Sequence, residues 1–431
     1  MISKIKAYLK EKKIDSYEIF ISESSSIESN IKSNNVEFLG GGNVIGLGIT
    51  IHHNKRTGFA STTDLENYKK CVDQSLEISK SKPLDKNFPG FNHPQKYRRV
   101  ITHDQKIENI SAKETAAYWG KVIELIKKSN PKNRAAGIGI MSSSKVRIIN
   151  SNGLDVSKKL ASFDYDILVD NGKTSTEDSV SRASIPNLKE TADLCKFVKS
   201  LEKKKKVKTG KFPIIFHPCA LTETMSVTFE PAVNLEEINK KTSKLTKEVG
   251  KKIFHESITI IDSPLEPMMT GSEPFDDEGT RGQIKKIIDK GVFKTPLSNN
   301  CEAGKAGKKS TGNAMRGFSS ESEIGFSNII IPPGKIELAK LIKKIKYGAI
   351  IKQVTGIHTM DAKGGNFSQG IGEGHLIENG KVTSAIQDSM VVGNFYEMLN
   401  QKIICSKERI NNGPFKVPYI FIPELTLVGE D

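Results

Sequence analysis

The fold of this chain is decided by residues 212–223, which have the sequence Phe212-Pro213-Ile214-Ile215-Phe216-His217-Pro218-Cys219-Ala220-Leu221-Thr222-Glu223. The apolar run predicts a buried strand that ends at a histidine, and the residues after it can open a helix. A zinc hydrolase built on such a helix needs a glutamate beside the first histidine as general base and a second histidine about one turn further on. Here those positions hold Pro218 and Thr222, so the layout of a metallopeptidase segment is present without most of its chemistry.

Blocks of glycine and small polar residues accompany this segment over most of the chain. They are Thr57-Gly58-Phe59-Ala60-Ser61-Thr62-Thr63-Asp64-Leu65, Phe275-Asp276-Asp277-Glu278-Gly279-Thr280, Ser310-Thr311-Gly312-Asn313-Ala314-Met315-Arg316, Gly364-Gly365-Asn366-Phe367-Ser368-Gln369-Gly370, Glu378-Asn379-Gly380 and Leu425-Thr426-Leu427-Val428-Gly429. Taken in this order with residues 212–223, they make the chain resemble the TldD/PmbA family of paired peptidase subunits.

In that family the TldD-type subunit carries His-Glu-x-x-x-His and the other subunit, TldE or PmbA, does not. The resemblance therefore implies a TldE/PmbA-type chain that helps to bind and enclose extended peptides for proteolysis. It places the zinc in a TldD-type partner and no cofactor in this chain. A homodimer is a further expectation for the chain in isolation.

The length and composition are those of an ordinary soluble protein. The 431 residues are enough for two or three domains, 36% of them are hydrophobic and 27% are charged. No apolar run approaches the roughly 20 residues that span a membrane, and the N-terminus has no signal-peptide pattern. The five cysteines are odd in number and widely scattered, which favours free thiols. We therefore expect a cytoplasmic protein with no membrane partner.

The net charge of +15 raises the question of a nucleic-acid partner. Much of the excess lies in residues 196–211, which are rich in lysine, with a single aromatic residue, Phe197. Nucleic-acid surfaces usually interleave arginine and aromatic residues with lysine, so a solvated helix end and linker is the better interpretation and nucleic acid is not expected.

Periodicity and turn signals predict an α+β fold. A mixed region of antiparallel sheets and helices is expected at residues 1–205, itself divided at about 1–95 and 105–205. A β-rich C-terminal domain, a coiled antiparallel sheet or barrel, is expected at residues 206–431, with one clear helix at about 235–252.

A glycine-rich segment in the first half, Gly46-Leu47-Gly48, invites interpretation as a nucleotide-binding loop. It lacks the third glycine, and no helix opens after it. We therefore predict a hairpin.

Several polar residues are candidates for a peptide cleft. Consecutive carboxylates point to opposite sides of an extended chain, so Asp276, Asp277 and Glu278 do not predict a cation loop. The resemblance implies that they shape the cleft, with Arg281 or Arg316 as charge partner. Glycine-rich blocks let backbone groups approach a ligand closely, which adds a second set of candidates. This set comprises Asn313, Arg316, Asn366 and Ser368.

The degenerate motif leaves the metal question open. His217 is interpreted first as a histidine in a pocket wall, hydrogen-bonded to backbone, and Cys405 as a buried thiol. The alternative joins His217, Glu223 and Cys405 as metal ligands of a stand-alone, divergent metallopeptidase. A third hypothesis is a basic regulator that binds nucleic acid or a topoisomerase.

Overall fold

The computed structural model describes residues 1–14 and 16–429. The first part of the chain forms α1 (Ile2–Glu11), β1 (Tyr17–Lys32), β2 (Asn35–His53), β3 (Arg56–Thr62), α2 (Tyr68–Ser81), α3 (Gln105–Glu108), α4 (Ala112–Ser129), β4 (Arg134–Asn150), β5 (Asp155–Asp170), β6 (Ser175–Arg182) and α5 (Leu188–Ser200). The strands form one six-stranded antiparallel sheet in the order β3-β2-β1-β4-β5-β6.

Helices cover one face of this sheet and form two cores with it. Near the N-terminus, Ile5 and Leu9 of α1 and Val72 of α2 pack on the sheet. Farther along, α4 contributes Trp119, which packs edge-on against Phe163. A capping box opens α4: Ser111 accepts from the backbone of Glu114, and the Glu114 side chain accepts from the backbone of Ser111.

The hairpin predicted at Gly46-Leu47-Gly48 is confirmed, since these residues lie in β2, which turns directly into β3. Gly46 and Gly48 allow close packing of Phe318 against this strand. A Cβ atom on Gly46 would lie 2.0 Å from the ring of Phe318, and one on Gly48 would lie 2.6 Å from the Phe318 carbonyl oxygen. Phe318 comes from the second part of the chain, so its contact with the first sheet requires residues without side chains at both positions.

The second part of the chain is strand-rich. It forms β7 (Lys204–Lys205), β8 (Gly210–Phe216), α6 (Pro218–Val233), α7 (Leu235–Asn239), β9 (Ile260–Asp262), β10 (Lys285–Asp289), β11 (Val292–Phe293), α8 (Asn300–Lys305), β12 (Ala314–Met315), β13 (Glu323–Ile324), β14 (Ile329–Ile330), α9 (Leu338–Lys343), β15 (Tyr347–Thr355), β16 (Asn366–Glu378), β17 (Lys381–Ile386), β18 (Met390–Asn394), α10 (Phe395–Asn400), β19 (Ile404–Asn412) and β20 (Phe415–Val428).

Five of these strands close into a barrel, because β20 pairs with β8, β8 with β15, β15 with β16, β16 with β18, and β18 again with β20. The α+β class and the barrel-like C-terminal part are thus confirmed. The pairing of β8 with β15 is parallel, so the barrel is not purely antiparallel. The divisions at about residues 95–105 and 206 stay predictions.

The helix predicted at about residues 235–252 is wrong. Helix α7 ends at Asn239, and Lys241 has a left-handed φ of 60°, a conformation that ends a helix. Ser243 then donates to the carbonyl of Ala232, and the chain continues in turns that bring Leu245 into the core. The long helix of this part is α6 instead. Its apolar residues surround it, because it is buried against the barrel, so it lacks the one-sided pattern that marks a surface helix.

Polar contacts join the two parts of the chain at the edge of β6. Asn412 accepts from the backbone of Ser181 at 2.8 Å and donates to the carbonyl of Ser179 at 2.9 Å. Glu373 accepts from the backbone of Glu177 at 3.3 Å and from the hydroxyl of Thr176. Side chains of the second part therefore satisfy backbone groups that an edge strand would otherwise expose. No helix among the described residues is long and apolar enough to cross a membrane.

Candidate functional site

The predicted junction of strand and helix at His217 is present. The backbone amide of His217 donates to the carbonyl of Ile351 at 2.9 Å, so β8 stays beside β15 up to its last residue. Helix α6 begins at the next residue, with Pro218 in its first turn, where proline is well tolerated. His217 is the N-cap, and its Nδ1 accepts from the backbone amide of Cys219 at 3.1 Å.

The environment of His217 keeps its imidazole neutral. The ring of Tyr419 meets it edge-on, with 4.9 Å between ring centroids. Burial, assisted by the nearby ammonium of Lys352, lowers the pKa of His217 to about 3. His217 thus caps helix α6, and it does not belong to the lining of the cleft that opens beside this helix.

The side chains at the motif do not fit a zinc ion. Thr222 stands at the second-histidine position, and its hydroxyl donates to the carbonyl of Cys219 at 3.0 Å. Pro218, at the position of the base, has no proton-accepting side chain. Within residues 1–14 and 16–429, no group of three or more His, Cys, Asp or Glu side chains could hold a metal ion.

The alternative set of His217, Glu223 and Cys405 is accordingly not assembled. Cys405 lies on β19 and pairs with Ile420 of β20, and Ile420 pairs in turn with Phe216 at the end of β8. Strand β20 therefore lies between Cys405 and the strand that leads to His217. It is buried beside a different pocket, formed with residues 332–336. Burial raises the pKa of its thiol to about 12, which suits a core cysteine better than a thiolate ligand.

A cleft of about 490 Å³ opens beside α6 at the junction of the two parts of the chain. Helix α6, which we call the motif helix, contributes Cys219, Thr222 and Glu223, and β15 contributes Lys352 and Gln353. The opposite wall comes from strands β5 and β6, and residues 412–415 close one end. We call this space the motif cleft.

An ion-pair network lies at the base of the motif cleft. The Nζ of Lys352 lies 2.7 Å from a carboxylate oxygen of Glu373 and 4.0 Å from one of Asp178. The Lys352 side chain is 15% exposed, and its ammonium also lies 4.2 Å from the ring centroid of Phe197. Lys352 therefore joins strand β15 to the edge strand β6.

Two carboxyl groups of the cleft have raised pKa values because they are partly buried. Burial raises the pKa of Glu223 to about 7, against the opposing effects of the Val354 backbone and the Lys352 ammonium. Burial raises that of Asp178 to about 6, although Lys352 again opposes the rise. The Oε2 atom of Glu223 is buried without a hydrogen-bond partner. These groups can exchange protons near neutral pH.

The predicted cleft residues of the acidic segment lie elsewhere and mostly serve the fold. Asp276 is fully buried and accepts from the backbone amides of Glu278, Thr280 and Ala314. Asp277 accepts from the backbone of Arg316 at 3.0 Å and lies 2.8 Å from the Nζ of Lys158.

The remaining candidates are dispersed. Asn313 is buried and donates to Asp262 at 3.1 Å and to the carbonyl of Gly325 at 3.0 Å. Glu278 and Arg316 line a second cavity, of about 680 Å³, whose lining does not include the motif residues. Asn366 and Ser368 are exposed on β16, where they pair with β18. The structure therefore does not gather these residues into one cleft.

Lys352, Glu373 and Asp178 were not found by sequence reasoning. They come from three strands that are far apart in the chain, and none belongs to a spaced motif. The short, polar pattern Ser-x-Glu-Asp-Ser of β6 offers no sign that its edge meets the motif helix.

These features define a metallopeptidase-like α+β protein, with an antiparallel sheet, a closed barrel, and a helix that retains the frame of a metal-binding motif. A family model described as PmbA/TldA metallopeptidase C-terminal domain matches residues 209–429, and one described as PmbA/TldA metallopeptidase domain 1 matches residues 17–79. The chain belongs to the PmbA/TldD metallopeptidase family.

Relatives and a solved structure are similar to this chain over nearly its whole length. Protein MJ0231 of Methanocaldococcus jannaschii is 27% identical, and the match covers 90% of this chain and 90% of that protein. The metalloprotease PmbA homolog of Buchnera aphidicola is 25% identical, over 96% of this chain and 93% of its own. The crystal structure of TldE from Thermococcus kodakarensis is 26% identical and superimposes with a TM-score of 0.91, covering 100% of both chains.

Proposed function

We propose that this chain is a TldE/PmbA-type subunit that pairs with a TldD-type metallopeptidase subunit and holds extended peptides while the partner supplies the zinc and the base. The observation that carries the proposal is the state of the motif helix. Its strand, capping histidine and helix are intact, whereas Pro218 and Thr222 occupy the positions of base and second ligand. Likeness to TldE over the full chain supports the same role.

The backbone beside the motif helix suits an extended peptide. Strand β15 pairs with β8 through Ala349, Ile350 and Ile351, and β8 then ends where α6 begins. Residues 352–355 of β15 continue past that point, and in the described chain no strand pairs with them on that side. A peptide added there as a strand would be held by main-chain hydrogen bonds with little regard to its sequence.

Reconstitution with a sister chain that has an intact His-Glu-x-x-x-His tests the proposal. The two chains are purified separately and mixed, and hydrolysis of an unfolded polypeptide is followed by mass spectrometry while zinc is measured by elemental analysis. We expect a stable complex, zinc in the sister chain, and peptidase activity that requires both.

The opposite result is equally clear. If this chain alone retains near one equivalent of zinc and hydrolyses peptides without a partner, the non-catalytic role is wrong and the stand-alone metallopeptidase gains support.

A further inference from the structure

One face of the first sheet is left partly open. Helices cover the opposite face, and the second part of the chain covers one end of this face, where Phe275 and Phe318 pack against it. Beyond that end, four apolar side chains of β2 and β4 are between 38% and 54% exposed. They are Phe38, Val44, Ile138 and Ile140.

The sheet register places these four side chains on the same face. They pair with even-numbered residues of β1, whereas Ile19 and Ile21, which contact the helices, are odd-numbered. We call the side of residues 24–30, 38–44 and 138–144 that is directed away from the helices the open face. Its other positions are mostly small, which keeps the surface shallow. They include Ser24, Ser26, Gly40, Gly42, Ser142 and Ser144.

The open face differs from the rest of the chain because it has no basic residue. Lysine and arginine make up 65 of the 431 residues, yet none occurs in the three segments that form the open face. On the other side of the sheet, the helices carry many exposed lysines, among them Lys6, Lys10, Lys121 and Lys128. Exposed apolar side chains without lysine are typical of the centre of a protein–protein interface.

The open face continues into the wall of the motif cleft. On β5, Asp164 pairs with Ile140 and Asp166 pairs with Ile138, and both acids line the cleft. A chain bound to the open face would therefore border the cleft. The motif helix has neither the base nor the second histidine, so a hydrolytic site beside it is incomplete without another chain. This favours the zinc-bearing subunit as the occupant.

Charge argues against a second copy of this chain as the occupant. In a two-fold symmetric pair the same surface meets itself, so the exposed Glu28 and Asp166 would approach like charges of the other copy. A chain of different sequence can place a basic side chain there. The three segments cover about 350 Å² of flat sheet, against the about 800 Å² that each partner buries in a stable interface. The open face is thus large enough for the centre of such an interface.

We propose that the open face is the surface on which this chain pairs with its TldD-type subunit, and that the bound subunit closes the motif cleft from that side. The identity of the occupant rests on the proposed function; the place of the interface rests on the open face itself. The facing surface of the partner is apolar at its centre and basic opposite Glu28.

The affinity of the full-length chain for a sister chain with an intact His-Glu-x-x-x-His tests this. Isothermal titration calorimetry compares the unsubstituted chain with Ile140→Lys and with the control Ile78→Lys. Ile140 and Ile78 are both 38% exposed, but Ile78 belongs to α2, on the other side of the sheet. We expect Ile140→Lys to weaken the complex at least about 30-fold and Ile78→Lys to change its affinity by less than about twofold.

Two further variants separate loss of the interface from a folding defect. Phe38→Ser removes an exposed ring without adding a charge and should weaken the complex about tenfold. Glu28→Lys repels the basic group expected on the partner and should weaken the complex at least about fivefold. Glu256→Lys changes an exposed acid outside the open face and should leave the affinity unchanged. Thermal unfolding of each isolated variant should match that of the unsubstituted chain, because all of these side chains are exposed.

The outcomes separate this inference from the proposed function. If the complex forms and all the open-face variants bind the sister chain as the unsubstituted chain does, the open face is not the pairing surface, and the proposed function stands. If the unsubstituted chain does not bind the sister chain, both are wrong. A dimer of this chain alone that Ile140→Lys dissociates, without binding to the sister chain, would show that the occupant is a second copy.

Discussion

The guanidinium of Arg316 lies 2.6 Å from the carboxylate of Glu18, and each side chain is only 4% exposed. Glu18 is at the start of β1, in the first sheet, and Arg316 follows β12 in the second part of the chain. The same arginine donates from Nε to the carbonyl of Asp277 at 3.1 Å and lies over the ring of Phe20. The two parts of the chain are thus joined through a buried charge pair.

Removing one member of this pair should be costly. Arg316→Met leaves Glu18 buried without its partner, and we expect a loss of about 3–5 kcal/mol in the free energy of unfolding. The double variant Glu18→Gln with Arg316→Met should recover part of that loss, because no charge is left unpaired. Urea denaturation of Arg316→Met, of Glu18→Gln and of the double variant measures the free energy of unfolding of each. A double variant that is as unstable as the sum of the two single variants would contradict the pairing.

Glu278 should make the stability of the protein depend on pH. Burial raises its pKa to about 7 from the ordinary 4.5, so the fold favours the protonated carboxyl. Its stabilising contribution is complete below about pH 4.5 and is lost as pH rises through 7. Glu278→Gln mimics the protonated form and can still accept the hydrogen bond from the Asn300 amide, which is 2.7 Å long.

We therefore expect the free energy of unfolding of Glu278→Gln, relative to the unsubstituted protein, to increase by about 1–2 kcal/mol between pH 5 and pH 8. Denaturation curves at the two pH values measure the difference. Glu256→Gln, which changes an exposed carboxylate, is the control and should show no such change. A constant difference at both pH values would mean that Glu278 titrates normally in the folded protein.

His217 should matter for stability more than for chemistry. His217→Ala removes the acceptor for the Cys219 amide and the contact with the Tyr419 ring, and should destabilise the protein by about 1–2 kcal/mol. His217→Asn retains a capping acceptor and should recover much of this. In the reconstituted complex, peptide hydrolysis should persist with both variants; its abolition by His217→Asn would instead indicate a direct role in the reaction.

Substitutions of Cys405 should distinguish a buried core thiol from a metal ligand. Because the side chain is buried, Cys405→Ala should cost about 1 kcal/mol, and Cys405→Ser should cost more, since a buried hydroxyl without a partner is unfavourable. Zinc content and peptidase activity of the complex should be the same in both. A loss of bound zinc in either variant would revive the ligand set of His217, Glu223 and Cys405.

The sequence predicted the frame of the site because that frame is local. A strand, a capping residue and a helix start are encoded by neighbours, so the junction at His217 could be read from residues 212–223 alone. The α+β class followed in the same way from strand and turn patterns. The prediction of a helix at about 235–252 was wrong because the apolar residues that have helical spacing there reach the core from turns.

The charges that decide the chemistry of the motif cleft are non-local. Lys352 and Glu373 lie more than 130 positions beyond His217, and Asp178 comes from a sheet that precedes it. The same is true of Gly46 and Gly48, whose packing against Phe318 depends on a contact across about 270 residues. Only the assembled structure shows which distant side chains share a space.

Among the described residues, no further strand pairs with β6, and its edge is completed by the side chains of Glu373 and Asn412 and by the backbone amide of Gly413. The backbone amides of Glu177 and Ser181 donate to these side chains, and the carbonyl of Ser179 accepts from Asn412. A shift of the first sheet along the barrel by one residue would therefore break all three hydrogen bonds at once. The width of the motif cleft is consequently fixed by a register between side chains and a strand. Under the proposed function, a cleft of fixed width suits a peptide backbone, whose thickness is the same whatever its sequence.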